Sequence, residues 1–515
     1  MNIAQAKENI KNTVALYLKK DDFGEYRIPV VRQRPVFLLG APGIGKTAIM
    51  EQIASELGIA LVSYSMTHHT RQSALGLPYI EHREYGGEKV AVSEYTMSEI
   101  IASIYQTMEE SGLSEGILFL DEINCVSETL SPSMLQFLQY KVFGRHRVPD
   151  GWVIVTAGNP PEYNKSVREF DVVTLDRLKV MEVEADYPAW KMYAVDKGMH
   201  GAILGFLEMS KDSFYKMEMG QNGKNYVTAR GWEDLSDLLY LYEEENLPVG
   251  LDLIGQYIRS AEISRDFEAY YALYGKYRRI YPVDQILSGN VPKELTMKAS
   301  QAQLDEKYSL LSILTGTIRE EMRACMEQFD VLKKMAEPLK AVLCQNHPLD
   351  EALERLADGQ DKVLRAKQKA GNVSAKEKRA IKLMQAKYQQ LLVCAKEAMG
   401  DVAKGETIAA GVSVGSVDGE TKEGAAVKAL YNAWFRNLGD VVEQKLARLH
   451  ALFSFVETAY GAEGSEMLIV VTELTAGSES ARFLSAFASE DYEKYSHLLS
   501  VDRQSKLREE ILQAL

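Results

Sequence analysis

The chain has 515 residues, of which 46% are apolar and 26% charged. That balance is ordinary for a soluble globular protein, excludes a wholly disordered or collagenous chain, and at this length implies two to four domains. A net charge of −14 repels phosphate backbones, so binding DNA or RNA requires a local basic patch.

Residues 2–20 read as an amphipathic helix, followed by an irregular stretch through Asp22, Gly24 and Pro29. The segment Met1–Glu8 carries acid and lacks the apolar core of a secretory signal. No apolar run approaches the ~20 residues that span a bilayer. Four scattered cysteines, with no CxxC pair and no histidine at metal spacing, argue against a disulfide scaffold or structural zinc. A cytoplasmic location without membrane attachment is the expectation.

Short β-rich runs follow at 35–39, 60–65, 116–120, 152–156 and 179–184, with helical patterns between most of them. Nearly continuous apolar strands alternating with helices predict a parallel sheet covered on both faces. From about residue 187 strand signals almost vanish. Segments 187–198 and 230–245 read as amphipathic helices of a small helical domain, and beyond 250 the pattern stays helical. Ser374–Glu377 has capping-box spacing and opens a helix whose apolar residues Ile381, Met384, Tyr388, Leu391 and Ala395 recur at three and four. Residues 400–424, rich in Gly, Ala, Ser and Thr, read as a mobile linker. Helices resume over 425–515, where the apolar run 467–471 fits helix or strand.

Gly40-Ala41-Pro42-Gly43-Ile44-Gly45-Lys46-Thr47 follows the first strand and precedes a helix. Its glycines let backbone N–H groups wrap a phosphate, and the helix start adds its positive dipole end. Lys46 then reaches the β/γ-phosphates and the Thr47 hydroxyl ligates Mg²⁺. A further 75 residues on, the strand Ile117–Leu120 ends in Asp121 and Glu122. Asp121 suits Mg²⁺ opposite Thr47, and Glu122 suits a general base that activates water. Asn159, after the next strand, can hold that water through its amide. Arg177, in Leu175-Asp176-Arg177-Leu178, can project to a neighbouring subunit's γ-phosphate, with Arg168 a competitor for that role. Arg230, in Thr228-Ala229-Arg230-Gly231-Trp232, can touch the γ-phosphate from the small domain.

Taken in order, GAPGIGKT at 40–47, LFLDEIN at 118–124, VTAGNP at 155–160, LDRL at 175–178 and TARGW at 228–232 resemble the MoxR family of AAA+ ATPases. Ser73–Pro78 looks like the insertion after the second strand of that clade. The resemblance covers about residues 30–245. It implies an α/β P-loop AAA+ core, with a parallel sheet flanked by helices, over 1–185. A small helical lid domain over 186–250 and a mainly α-helical C-terminal extension (251–399, then 425–515) complete the expected architecture. It also implies adenine specificity and ATP-driven remodelling of a protein target by a self-assembled ring, usually a hexamer, often with a von Willebrand A-type partner. The 270 residues beyond 245 match no motif of that family, so the target is not read from the sequence.

Two other functions stay open at this stage: a nucleotide-gated scaffold with little hydrolysis, and a nucleic-acid-directed ATPase. For the latter, residues 362–382 carry eight Lys or Arg against Glu377 alone, but lack the interleaved aromatics that stack bases, and read as a solvated helix face or hairpin tip. His68-His69 has no third ligand nearby and is not read as a metal site. The tyrosines at 270, 271, 274, 277 and 281 read as helix-packing aromatics.

Overall fold

The structure, a computed structural model, describes residues 1–68, 74, 76–143, 145–163, 167–220, 223–344, 348–404 and 421–499. They form two compact units: Met1–Ala189 with Gly359–Ile381, and Trp190–Asp358 with Lys382 onward.

In the first unit, helix α1 (Ile3–Tyr17) opens on a reciprocal capping box between Asn2 and Gln5 and buries Ala6, Ile10 and Val14. Strand β1 (Val36–Gly40), helix α2 (Ala48–Leu57) and β2 (Ala60–Ser65) follow. An antiparallel ribbon, β3 (Pro78–Tyr85) and β4 (Glu88–Tyr95), leads to the helix Glu99–Ser111 and β5 (Gly116–Asp121). The helix Ser131–Tyr140 and the short hairpin β6 (Val142–Phe143) and β7 (His146–Arg147) precede β8 (Trp152–Gly158) and β9 (Lys179–Val183).

The five strands β2-β5-β8-β1-β9 form one sheet in that order, every pairing parallel. All five are the runs read from the sequence. Strand β8 is buried along its whole length and β5 up to Asp121, as expected for strands covered on both faces. The ribbon β3–β4 escaped the sequence reading because it is largely exposed on both faces and carries no apolar alternation.

The second unit is mainly helical, with Tyr187–Lys197, Gly201–Met209 and Ala229–Glu244 followed by helices over 251–257, 261–280 and 304–343. Its core gathers Leu310, Leu314, Met322, Leu449, Phe453, Val470, Leu474 and Phe483. Tyr277 and Tyr281 belong to that core, Tyr270 and Tyr274 are buried elsewhere in the unit, and Tyr271 is half-buried. One feature departs from the all-helical expectation: an antiparallel hairpin, β10 (Lys216–Gly220) and β11 (Gly223–Val227). Residues 467–471 lie in the helix Ser465–Ala476. Part of the stretch read as a linker is helix, since Ala375–Lys404 runs into it and Lys422–Tyr460 begins within it, capped by Thr421. Residues 405–420 of that stretch lie outside the described residues. Among the described residues no helix is long and apolar enough to cross a membrane.

Lys141, which ends the helix Ser131–Tyr140, is buried at 4% exposure with its ammonium 3.3 Å from Gln33 Oε1. Burial pulls its pKa down to about 8. Between that value and the unfolded 10.5 the unfolded chain binds more protons, so stability rises as pH climbs through this window and the penalty is fully present below it. The Lys141→Met variant is expected to remove that slope; it relieves a penalty on the order of 3 kcal/mol at neutral pH, offset by about 1–3 kcal/mol for leaving Gln33 Oε1 without this donor. Urea unfolding of both proteins between pH 7 and 10 checks this, and parallel curves contradict it.

Candidate active site

The loops leaving the carboxyl ends of β1, β5 and β8 meet at one edge of the sheet, where ligands of open parallel sheets bind. Residues 40–47 leave β1 and feed α2. Gly43 and Gly45 have φ of +74° and +97°, which a side chain would strain, and these turns bring the loop's backbone round to the helix start. Lys46 is 7% exposed. Its Nζ donates to the carbonyls of Gly40 (2.7 Å) and Ala41 (2.8 Å) and to Asn159 Oδ1 (2.9 Å). An ammonium this buried is tolerated because all three of its protons have acceptors.

The Thr47 hydroxyl donates to Asp121 Oδ2 at 2.8 Å. Hydroxyl and carboxylate oxygens are the donors that Mg²⁺ prefers, and Mg²⁺ usually takes one or two protein ligands together with phosphate oxygens and water. The donor set therefore fits that ion beside a phosphate held by residues 40–47. Among the described residues no group of three or more His, Cys, Asp and Glu side chains gathers to hold a metal. His69 lies outside the described residues, as do Ser73 and Leu75 of the stretch read as an insertion.

Glu122 adopts a left-handed backbone, φ 55°, which is uncommon for a residue with a side chain and occurs where surrounding contacts enforce it. Its amide donates to Asp121 Oδ1 at 2.9 Å, and its Oε2 accepts from the Ser65 hydroxyl at 3.2 Å. Ser65 is the last residue of β2 and pairs in register with Asp121. No sequence signal singled it out, because its partner lies 57 positions away across two strands. Asn124 closes the LFLDEIN motif, but the sequence assigns it no role. Its Nδ2 donates to the Asn159 carbonyl at 2.8 Å and so fixes the turn that presents Asn159 to Lys46. Nearby, burial together with Glu122 and Asp121 pushes the Cys125 thiol up.

One residue of the expected set, Arg177, lies away from this cluster within the same unit. Arg177 is exposed and precedes β9, whose first residue Lys179 pairs with Val36 at the start of β1. Residues 40–47 leave the other end of β1, about 13 Å along a five-residue strand. Arg177 therefore sits at the opposite end of the strands from residues 40–47. Its charge acts on Asp171, and a cavity of ≈ 340 Å³ opens beside it, lined in part by Gln136, Gln139 and Thr174. Arg168, the competing arginine, forms an ion pair with Glu128 and donates its amide to the Asn124 carbonyl at 2.9 Å. Arg230 belongs to the second unit, where it is exposed in the first turn of the helix Ala229–Glu244, capped by Thr228.

Residues 36–174 match the family model described as ATPase family associated with various cellular activities (AAA). No curated protein matches the chain.

Proposed function

We propose, taking as premise the AAA-type ATPase domain of residues 36–174 and the nucleotide binding it implies, that the protein hydrolyses Mg-ATP in a self-assembled ring and uses the cycle to remodel a protein target. The observation that carries hydrolysis is the contiguity of Lys46, Thr47, Asp121, Glu122 and Asn159: Lys46 bonds Asn159, 113 positions away, and the adjacent Thr47 bonds Asp121, whose carboxylate accepts from the Glu122 amide. Mg-ATP bound there supplies the phosphoryl group and the charge of the cation. Lys46 and the loop amides hold phosphate oxygens. Thr47 and Asp121 hold the cation. Glu122, oriented by Ser65, takes the proton of the attacking water, and Asn159 positions that water.

Arg177 supports the ring reading, because a guanidinium at the opposite end of the strands cannot serve its own loop, and exposure is what a role on a neighbouring copy's phosphate requires. Arg168 is held by Glu128 and suits the role less well. Arg230 is assigned the report of nucleotide state from the second unit. The MoxR resemblance adds the expectation of a hexamer and of a von Willebrand A-type partner, with the target left open.

Steady-state hydrolysis and mass measurement with and without ATP test this reading. Arg177→Ala is expected to lower turnover by about 10³-fold or more. Mixing it with Glu122→Gln subunits is expected to restore activity, because each defect then falls on a different subunit of a shared site. Loss without rescue on mixing contradicts the trans role. A wild-type protein that binds ATP as a monomer without turnover contradicts the motor and favours a nucleotide-gated scaffold.

A further inference from the structure

The first unit is assembled from two distant parts of the sequence, and the smaller part is the tip of a helical hairpin. Its arms are the helices Leu349–Lys369 and Ala375–Lys404, and its tip, within residues 359–381, belongs to the same compact unit as the sheet. The tip is seated on the turn joining α2 to β2. The Leu61 amide donates to the Ala370 carbonyl at 2.8 Å, and Asn372 Nδ2 donates to the Ile59 carbonyl at 3.0 Å. The Ser55 hydroxyl donates to Glu377 at 3.4 Å. Ala370 and Asn372 are 1% and 3% exposed, and Ala370 joins the apolar core beneath the sheet.

Gly371 has φ +64°, and a Cβ there would meet the Leu61 carbonyl oxygen at 2.7 Å. Only glycine allows this approach. The basic residues around the tip are in part accounted for as well, since Lys367 pairs with Glu377 and Lys369 lies 3.7 Å from Glu110.

Strand β2 is the edge of the sheet. Its inner side is paired with β5, and its open side is covered at Leu61 by the tip. The clamped turn is the shared root of two elements that reach the active site. Helix α2 runs about 12 Å from Ser55 back to Thr47, and β2 runs about 13 Å forward to Ser65, which holds Glu122. A strand held on one side only can shift laterally, and a shift of about 1 Å at a general base can cost on the order of 100-fold in rate.

We propose that residues 370–372 are positioning residues of the ATPase site: by clamping the α2–β2 turn they hold Ser65 where it orients Glu122. The inference rests on the hydrolysis proposed above. It predicts that displacing the tip lowers turnover through Ser65 while leaving nucleotide binding in place.

The test uses the full chain, with Asn372→Ala as the mild change and Gly371→Leu as the severe one, each in wild-type and Ser65→Ala backgrounds. Expected is a fall in kcat of about 10–100-fold with ATP affinity nearly unchanged, and faster hydrogen exchange at the Leu61 amide. In the Ser65→Ala background the tip changes are expected to cause no further loss, because the route they act through is already cut. Unchanged kcat overturns the proposal. So does a parallel loss of kcat and ATP affinity, which marks general destabilisation, and so do losses that multiply in the Ser65→Ala background. Wild-type protein without turnover removes the hydrolysis reading and this inference with it, whereas wild-type turnover indifferent to both tip changes removes this inference alone.

Discussion

Glu122→Gln is expected to lower ATP turnover by roughly 10²–10⁴-fold while nucleotide remains bound. The amide is nearly the same size as the carboxylate and can still accept the 3.2 Å bond from Ser65, so the left-handed turn at residue 122 has no reason to rearrange. What disappears is the ability to take a proton from water. The Lys46–Asn159 and Thr47–Asp121 bonds are kept, so phosphate and cation lose no protein ligand. Single-turnover hydrolysis together with equilibrium binding of labelled ATP separates the two effects. Full turnover in this variant would place the base elsewhere, and loss of binding would mean that Glu122 supports the loop rather than the water.

Lys46→Ala is expected to give the opposite signature, in which binding itself fails. The Lys46 ammonium is the buried positive charge among the loop residues, and it ties the Gly40 and Ala41 carbonyls to Asn159. Truncation removes a charge-assisted contact to phosphate, worth about 1.5–3 kcal/mol, and leaves three acceptors without that donor. The first term alone weakens ATP about 10–100-fold. The second loosens the loop before any nucleotide arrives. Isothermal titration with ATP and with ADP checks this, and affinities equal to wild type would move the phosphate site away from residues 40–47. Lys46→Arg is expected to rescue poorly, because a planar guanidinium cannot point three donors at the acceptors that surround a compact ammonium.

Features that rest on local pattern can be read from the chain alone. The five sheet strands follow from short apolar runs, since a strand buried on both faces must be apolar at nearly every position. The turn at residues 40–47 is legible because positive-φ positions demand glycine at fixed offsets from Lys46 and Thr47, and Asp121-Glu122 because carboxylates ending a buried strand stand out against it. The ribbon β3–β4 and the hairpin β10–β11 were not legible, since two-stranded ribbons bury too little to impose a period on their residues.

Which groups meet is set by how whole elements pack. Ser65 reaches Glu122 because β2 pairs in register with β5, and Arg177 stands at the opposite end of the strands from Lys46 because β9 runs parallel to β1. The hairpin tip is the extreme case, with Asn372 and Ile59 separated by 313 positions. Hydrogen bonds over such separations are chosen by the packing of whole elements, and that packing leaves no periodic mark on either segment from which the pairing could be read.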